Sequence, residues 1–220
     1  MSKHLISDLV NNLKWQGAPP IRWTSGLSTD EMNVIAEALK IPSWCGTGYR
    51  ERVHHMERLF ELREPYPSSC VINTAPEGSK DGEHWVALYY TPYPDIGQED
   101  HHVEFFDCSG LLNVMPAVDC LMESLSDGPD RNNIPLPIVQ NTSVLQNGMN
   151  PDSPACGYHC MYYIMCKDKI IPPLIKSEEP IEAFNIGTYF YPYKGLHPHL
   201  NDLHVMESIE WFLKDRNVKL

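Results

Sequence analysis

His84-Trp85-Val86-Ala87-Leu88-Tyr89-Tyr90 and His102-Val103-Glu104-Phe105-Phe106-Asp107 decide the fold of this chain. Both runs are rich in β-branched and aromatic residues, and the segment between them, Thr91 to His101, is rich in Pro, Gly and Asp. They read as two antiparallel strands joined by a hairpin loop. With that loop centred near Ile96, His84 falls opposite Asp107. Directly opposed side chains have Cβ atoms about 4.5 to 5.5 Å apart, so an imidazole there reaches a carboxylate. The pairing depends on register, because a slip of one residue turns one partner to the other face. Taken singly, His84 is a polar residue opening an apolar strand, and Asp107 is a turn former ahead of Ser109-Gly110.

Other elements gather around this hairpin. Cys70-Val71-Ile72-Asn73-Thr74 reads as a further strand, and Ile134 to Val139 with Ser143 to Leu145 as another. Ser28 followed by Glu31 makes a capping box, and Met32, Ile35, Ala36 and Leu39 form one apolar stripe ending before Pro42. Trp44-Cys45-Gly46-Thr47-Gly48-Tyr49 reads as a glycine-freed loop whose aromatics line a groove or pack locally. Helices are expected from about Arg50 to Leu62, from Val114 to Leu125, and at the end, where Leu203, Met206, Ile209, Phe212 and Leu213 share a stripe. Leu5, Ile6, Leu9, Val10 and Leu13 suggest a short amphipathic helix before Gly17-Ala18-Pro19-Pro20. Residues 1–26 are therefore expected as an N-terminal extension and residues 27–220 as a single domain. The class is α+β, a central mostly antiparallel sheet packed against a buried helix.

That buried helix starts in Asp152-Ser153-Pro154-Ala155-Cys156-Gly157-Tyr158-His159-Cys160. Ser153 is expected as N-cap and Pro154 at the first helical position, which places Cys156 in the first turn. There the unpaired N–H groups and the helix dipole favour a thiolate, the nucleophilic form. A lone cysteine is more often an inert core thiol. Acyl transfer needs a thiolate, a base, a group that orients the base and donors for the oxyanion. Cys156, His84, Asp107 and Gln146 can fill those roles, with Gln140 as an alternative to Gln146. The rival chemistry is a metal site built from Cys156, His159, Cys160, Cys166, His101 and His102. Its spacing matches no usual zinc pairing, so no metal is expected, and His101 and His102 read as solvated loop residues.

A formal net charge of −12 argues against nonspecific binding to nucleic acid or an anionic membrane. Seven cysteines, an odd number, do not read as a secreted disulfide framework, and the opening residues lack the apolar core of a signal peptide. A reducing compartment inside a cell is expected.

Several motifs in order are specific together. Ser69-Cys70-Val71-Ile72-Asn73-Thr74-Ala75, Gly82-Glu83-His84-Trp85-Val86-Ala87, Glu104-Phe105-Phe106-Asp107, Gly128-Pro129-Asp130-Arg131, Gln146 and Ser153-Pro154-Ala155-Cys156-Gly157 resemble the adenovirus proteinase (adenain) family over roughly residues 28 to 213. The resemblance implies a viral endopeptidase that cleaves capsid and core precursors in the virion and in the nucleus or a cytoplasmic virus factory of the host cell. It implies Cys156 as nucleophile, His84 as base, Asp107 as orienting acid and Gln146 as oxyanion donor. Trp85, Gly46, Thr47 and Gly157 are the substrate-contacting positions it suggests. The family often has Glu where Asp107 stands, and the span from Gln146 to Cys156 is longer than in typical members. Adenovirus enzymes take an activating peptide on a cysteine after Pro-Asp-Arg, but here Asn132 follows Arg131, which argues against disulfide-linked activation. The acidic charge argues against the DNA cofactor of those enzymes. The pattern suits a divergent relative, from a virophage, a polinton-like element or an unusual adenovirus. A ubiquitin-like-protein isopeptidase of the related family shares the order His, acid, Gln, Cys, and a non-catalytic capsid scaffold is the remaining alternative.

Overall fold

The computed structural model describes residues 26–50, 60, 66–75, 77–78, 84–92, 102–110, 138–141, 143–146, 155–176, 181–192 and 198–217. The expected N-terminal extension, the helix expected over 114–125, the segment Gly128 to Asn132 and most of the helix expected over 50–62 lie outside these residues.

Among the described residues, five strands make one sheet in the order β1-β2-β3-β4-β5. They are β1 (Trp44–Tyr49), β2 (Ser68–Asn73), β3 (Trp85–Thr91), β4 (His102–Phe106) and β5 (Ile138–Gln140). The inner pairs β2/β3 and β3/β4 are antiparallel, while β1 and β5 join the two edges in parallel. The sheet is therefore mixed, with an antiparallel centre. The stretch expected as the loop Trp44 to Tyr49 is instead the edge strand β1. Its register shifts between Trp44 and Thr47, at Gly46, whose φ of +123° suits glycine at such a bulge. Pairing with the β-branched strand β2 overrides the weak local β-propensity of two glycines. Ser143 to Leu145, expected to extend a strand, are not in the sheet.

Among the described residues, four α-helices with both ends described accompany the sheet: α1 (Thr29–Leu39), α2 (Cys156–Lys167), the single turn α3 (Ile186–Tyr189) and α4 (Pro198–Asp215). In α1 the Ser28 hydroxyl accepts from the Glu31 N–H while the Glu31 carboxylate accepts from the Ser28 N–H, the expected capping box. Its buried residues are Met32, Ile35, Ala36 and Leu39, and Lys40 ends it in the left-handed conformation. Helix α2 is buried on nearly every side, from Gly157 to Cys166. It lies on β2 and β3 and is backed by α1 and α4. Tyr163 stacks on Phe106 with ring centroids 4.4 Å apart and donates to Glu104 Oε2 at 2.6 Å. Glu104 is fully buried and also pairs with Lys167 from α2 and with His102. Burial pushes its carboxyl up, and the bonds from His102, Lys167 and Tyr163 outweigh that and hold it low.

The stripe expected on α4 faces inward through Met206, Ile209 and Leu213, with Phe212 packed against the core, and only Leu203 departs from it. Asn201, Asp202, Val205, Met206, Ile209 and Leu213 are buried, and Leu203 is 47% exposed. The opposite face of the sheet is buried too, through Cys70, Ile72, Val86, Leu88, Tyr90, Val103 and Phe105, with Phe60 stacked on Tyr90. No helix among the described residues is long and apolar enough to cross a membrane.

Candidate active site

Cys156 is the first residue of α2 and only half buried. The N-cap is Ala155, which offers no side-chain cap, rather than the expected Ser153. Ser153 and Pro154 themselves lie outside the described residues, and the position of Cys156 in the first turn puts its sulfur at the positive end of the helix. His84 immediately precedes β3, its carbonyl accepting from Thr74 N–H at 2.9 Å, and Asp107 immediately follows β4. His84 Nε2 and Asp107 Oδ1 are 2.8 Å apart. The pair meets, but not by direct opposition. Ala87 faces Phe106 and Thr91 faces His102, so the ladder runs two residues away from the expected register. An even offset preserves the face, and a diagonal pair stays within reach of an imidazole.

The electrostatics fit a proton-carrying base. Burial lowers the affinity of His84 for its proton, but hydrogen bonds to Asp107 and Cys156 outweigh it and raise the pKa to about 9. With Nε2 on Asp107, Nδ1 is the nitrogen left for Cys156. Asp107 is buried, which pushes its carboxyl up, yet His84 and Ser109 hold it below the usual carboxylate range. Ser109 gives Asp107 Oδ1 both its backbone N–H at 2.8 Å and its hydroxyl at 2.7 Å. The N–H bond is an Asx-turn, for which Asp107-Cys108-Ser109-Gly110 carries the sequence signal.

The Ser143–Gln146 segment is sewn onto that same turn. Asn141 Nδ2 donates to the Asp107 carbonyl at 2.7 Å and to the Ser143 carbonyl at 2.9 Å. Leu145 and Gln146 N–H groups both donate to the Cys108 carbonyl, at 2.9 and 3.0 Å. From α4, the buried Asn201 amide donates to the Leu145 carbonyl at 3.2 Å. Gly110 allows the close approach: at φ +70° a Cβ would lie 3.0 Å from the backbone of Ser143 and Val144. Gln146 is buried, and its side-chain oxygen accepts from the Cys108 thiol at 2.8 Å. Gln140, the alternative, lies on β5 opposite Phe105.

The other expected positions lie as follows. Trp85 opens β3, half buried, and its carbonyl accepts from the Cys160 thiol at 3.3 Å. Gly157 faces inward: a Cβ there would lie 2.8 Å from Met32 Cε, 3.1 Å from Leu27 and 3.4 Å from Trp85, so its absent side chain lets α2 seat against α1. Gly46 and Thr47 are half buried on β1, separated from His84 by β2. His159 and Cys160 point into the core. His159 bonds Tyr191 through Nδ1 at 3.0 Å and Asp202 through Nε2 at 2.9 Å, and Cys166 is buried. His102, expected in the solvated loop, begins β4 and bonds Glu104 at 2.9 Å, while His101 lies outside the described residues. His84, Asp107 and Cys108 do bring a nitrogen, an oxygen and a sulfur within 4.8 Å of one another. Burial pushes the Cys108 thiol well up, and the thiol donates to Gln146 Oε1.

The architecture matches one already known. The crystal structure of the ASFV pS273R protease superposes with a TM-score of 0.54 at 14% identity, covering 92% of this chain and 79% of that one. This chain has the fold of a viral cysteine protease. A second crystal structure of that protease, in selenomethionine form, gives a TM-score of 0.48 at 18% identity over 70% of this chain and 62% of that chain. No protein-family model matches the chain, and no curated protein matches it by sequence.

Proposed function

We propose that the chain is a cysteine endopeptidase of adenain-like type that cleaves viral capsid and core precursors during maturation. The observation that carries this reading is the Asp107-bonded His84 beside a cysteine that begins a buried helix. Cys156 Sγ attacks the scissile carbonyl carbon and forms a C–S bond. The resulting oxyanion is held by the Cys156 backbone N–H and the Gln146 amide. His84, cationic at neutral pH, gives its proton to the leaving amine as the C–N bond breaks. Now neutral, it takes a proton from water, whose oxygen attacks the thioester, and the thiolate leaves. Asp107 keeps the imidazole oriented and stabilises its positive charge. The substrates, the virion and host-cell setting, and any activating peptide belong to the same proposal, as does the view that neither DNA nor a metal is needed.

Incubating the purified chain with capsid and core precursors of its own virus, then mapping cleavage sites by mass spectrometry, tests the reading. Defined internal cuts that vanish in Cys156→Ala are the expected result. Intact precursors, or equal cutting by Cys156→Ala, would overturn it. Covalent capture of Cys156 by a ubiquitin-like electrophilic probe, with precursors left uncut, would move the assignment to an isopeptidase.

A further inference from the structure

We propose that Cys108 is a positioning residue for Gln146: it grips both the backbone and the side-chain oxygen of Gln146 and so fixes which way the amide N–H groups point. The inference rests on the proteolytic reading, in which Gln146 supplies a donor to the oxyanion. Three contacts carry it. The Cys108 carbonyl accepts from the N–H groups of Leu145 and Gln146, and the Cys108 thiol donates to Gln146 Oε1 at 2.8 Å. Cys108 is fully buried and Gln146 is 8% exposed.

A primary amide is nearly symmetric in shape, so a glutamine side chain can present either its oxygen or its NH2 group in the same place. An oxyanion donor tolerates only one of these, because a carbonyl oxygen facing a developing negative charge repels it. A buried thiol that keeps its proton selects the orientation: it is a donor, and a neutral sulfur is a poor acceptor for N–H. Burial, with the nearby Cys160 and Cys156 sulfurs and the Asp107 and Asp202 carboxylates adding to it, pushes the Cys108 thiol well above the ordinary range, so the proton stays on sulfur across physiological pH. Asp107, the preceding residue, binds His84, so one turn fixes the base through residue 107 and the amide through residue 108.

Alanine at 108 removes the thiol donor from the buried Gln146 Oε1, which weakens the preference for one amide orientation. In Cys108→Ala, kcat on a peptide spanning a mapped cleavage site is expected to fall about tenfold, less than the roughly 10²- to 10³-fold loss for removing an oxyanion donor outright, because the displaced amide still samples the productive rotamer. KM is expected to stay within about twofold, since orientation matters most in the transition state. Cys108→Ser, which keeps a donor, should restore kcat. Alkylation of Cys156 by iodoacetamide needs no oxyanion and should proceed at the wild-type rate in both variants. In a Gln146→Ala background, Cys108→Ala should cost nothing further. Unchanged kcat in Cys108→Ala, a parallel loss of alkylation, no rescue by serine, or an undiminished cost in the Gln146→Ala background would each overturn the proposal. If the chain cleaves no precursor at all, the proteolytic reading fails by itself. The Gln146 side-chain amide resonances then decide the positioning: one sharp environment in wild type and Cys108→Ser, and exchange-broadened signals in Cys108→Ala, support it, and identical spectra refute it.

Discussion

His84 Nε2 meets Asp107 Oδ1 at 2.8 Å, and the same carboxylate oxygen accepts two bonds from Ser109. The His84 pKa of about 9 exceeds the ordinary value of 6.5 because these bonds and Cys156 outweigh burial. The imidazolium therefore persists at neutral pH and is lost as pH rises through about 9. The alkaline limb of kcat/KM is expected near pH 9. Asp107→Asn keeps the shape and removes the charge, so that limb should move down toward the ordinary histidine value, with kcat/KM at pH 8 falling roughly ten- to a hundredfold. A pH–rate profile of both proteins checks this, and a limb that stays in place in Asp107→Asn would separate Asp107 from the base.

Ser109→Ala removes the hydroxyl bonds to Asp107 and leaves the backbone N–H bond. Asp107 has its carboxyl pKa lowered in the fold, so its contribution to stability is present above the unfolded value and is lost as pH falls through the folded one. Weakening the bonds raises the folded value. Acid unfolding followed by circular dichroism should therefore begin at higher pH in Ser109→Ala, with a cost at neutral pH of about 1 kcal/mol.

How much of this was legible depended on how far apart the interacting residues stand. The α1 cap needs only Ser28 and Glu31, and the sequence read it without help. The pairing of His84 with Asp107 was legible as a consequence of two strong strands, but its register was not, because nothing in the connecting loop sets where the ladder begins. Strand β1 was missed because its two glycines lack β-propensity and its order comes from β2, some two dozen residues away. On α4 the stripe Met206, Ile209, Phe212 and Leu213 is legible from spacing, whereas the burial of Asn201 and Asp202 in place of Leu203 is not, because their partners, Leu145 and His159, are remote in the chain. Cys108 and Ser109 stood in plain view, yet only the folded turn shows that one serves Gln146 and the other Asp107.

Gly110 is the point where the turn after β4 touches the Gln146 segment. A methyl group there would meet backbone atoms of Ser143 and Val144 at 3.0 Å, and its φ of +70° disfavours any side chain. Backbone cannot swing aside as a flexible side chain can. Gly110→Ala is expected to destabilise the protein by about 2 kcal/mol. It should also lower kcat more than KM, because the displaced segment carries Gln146. Denaturant unfolding together with steady-state kinetics measures both effects, and a variant of wild-type stability would show that the segment has room to yield.

Lys167 tests the other end of α2, remote from Cys156. Its ammonium pairs with the buried Glu104 and donates to the Ile181 carbonyl at 2.7 Å, while Glu104 also holds His102 and Tyr163. Lys167→Met keeps the aliphatic stem and leaves a buried carboxylate short of its cation. Removing one partner of a buried pair costs about 3 to 5 kcal/mol, and the remaining bonds from His102 and Tyr163 place this case toward the lower end. Glu104 is held low in the native fold, so its pairing stabilises above the unfolded carboxyl value and that stability is lost as pH falls through the folded value. Without Lys167 the folded value rises, so the deficit should be greatest near neutral pH and shrink as Glu104 takes up a proton in acid. Urea melts of wild type and Lys167→Met at pH 7 and pH 5 measure the two gaps. A deficit that does not narrow at the lower pH would mean that the lysine acts through packing and its bond to Ile181 rather than through the charge of Glu104.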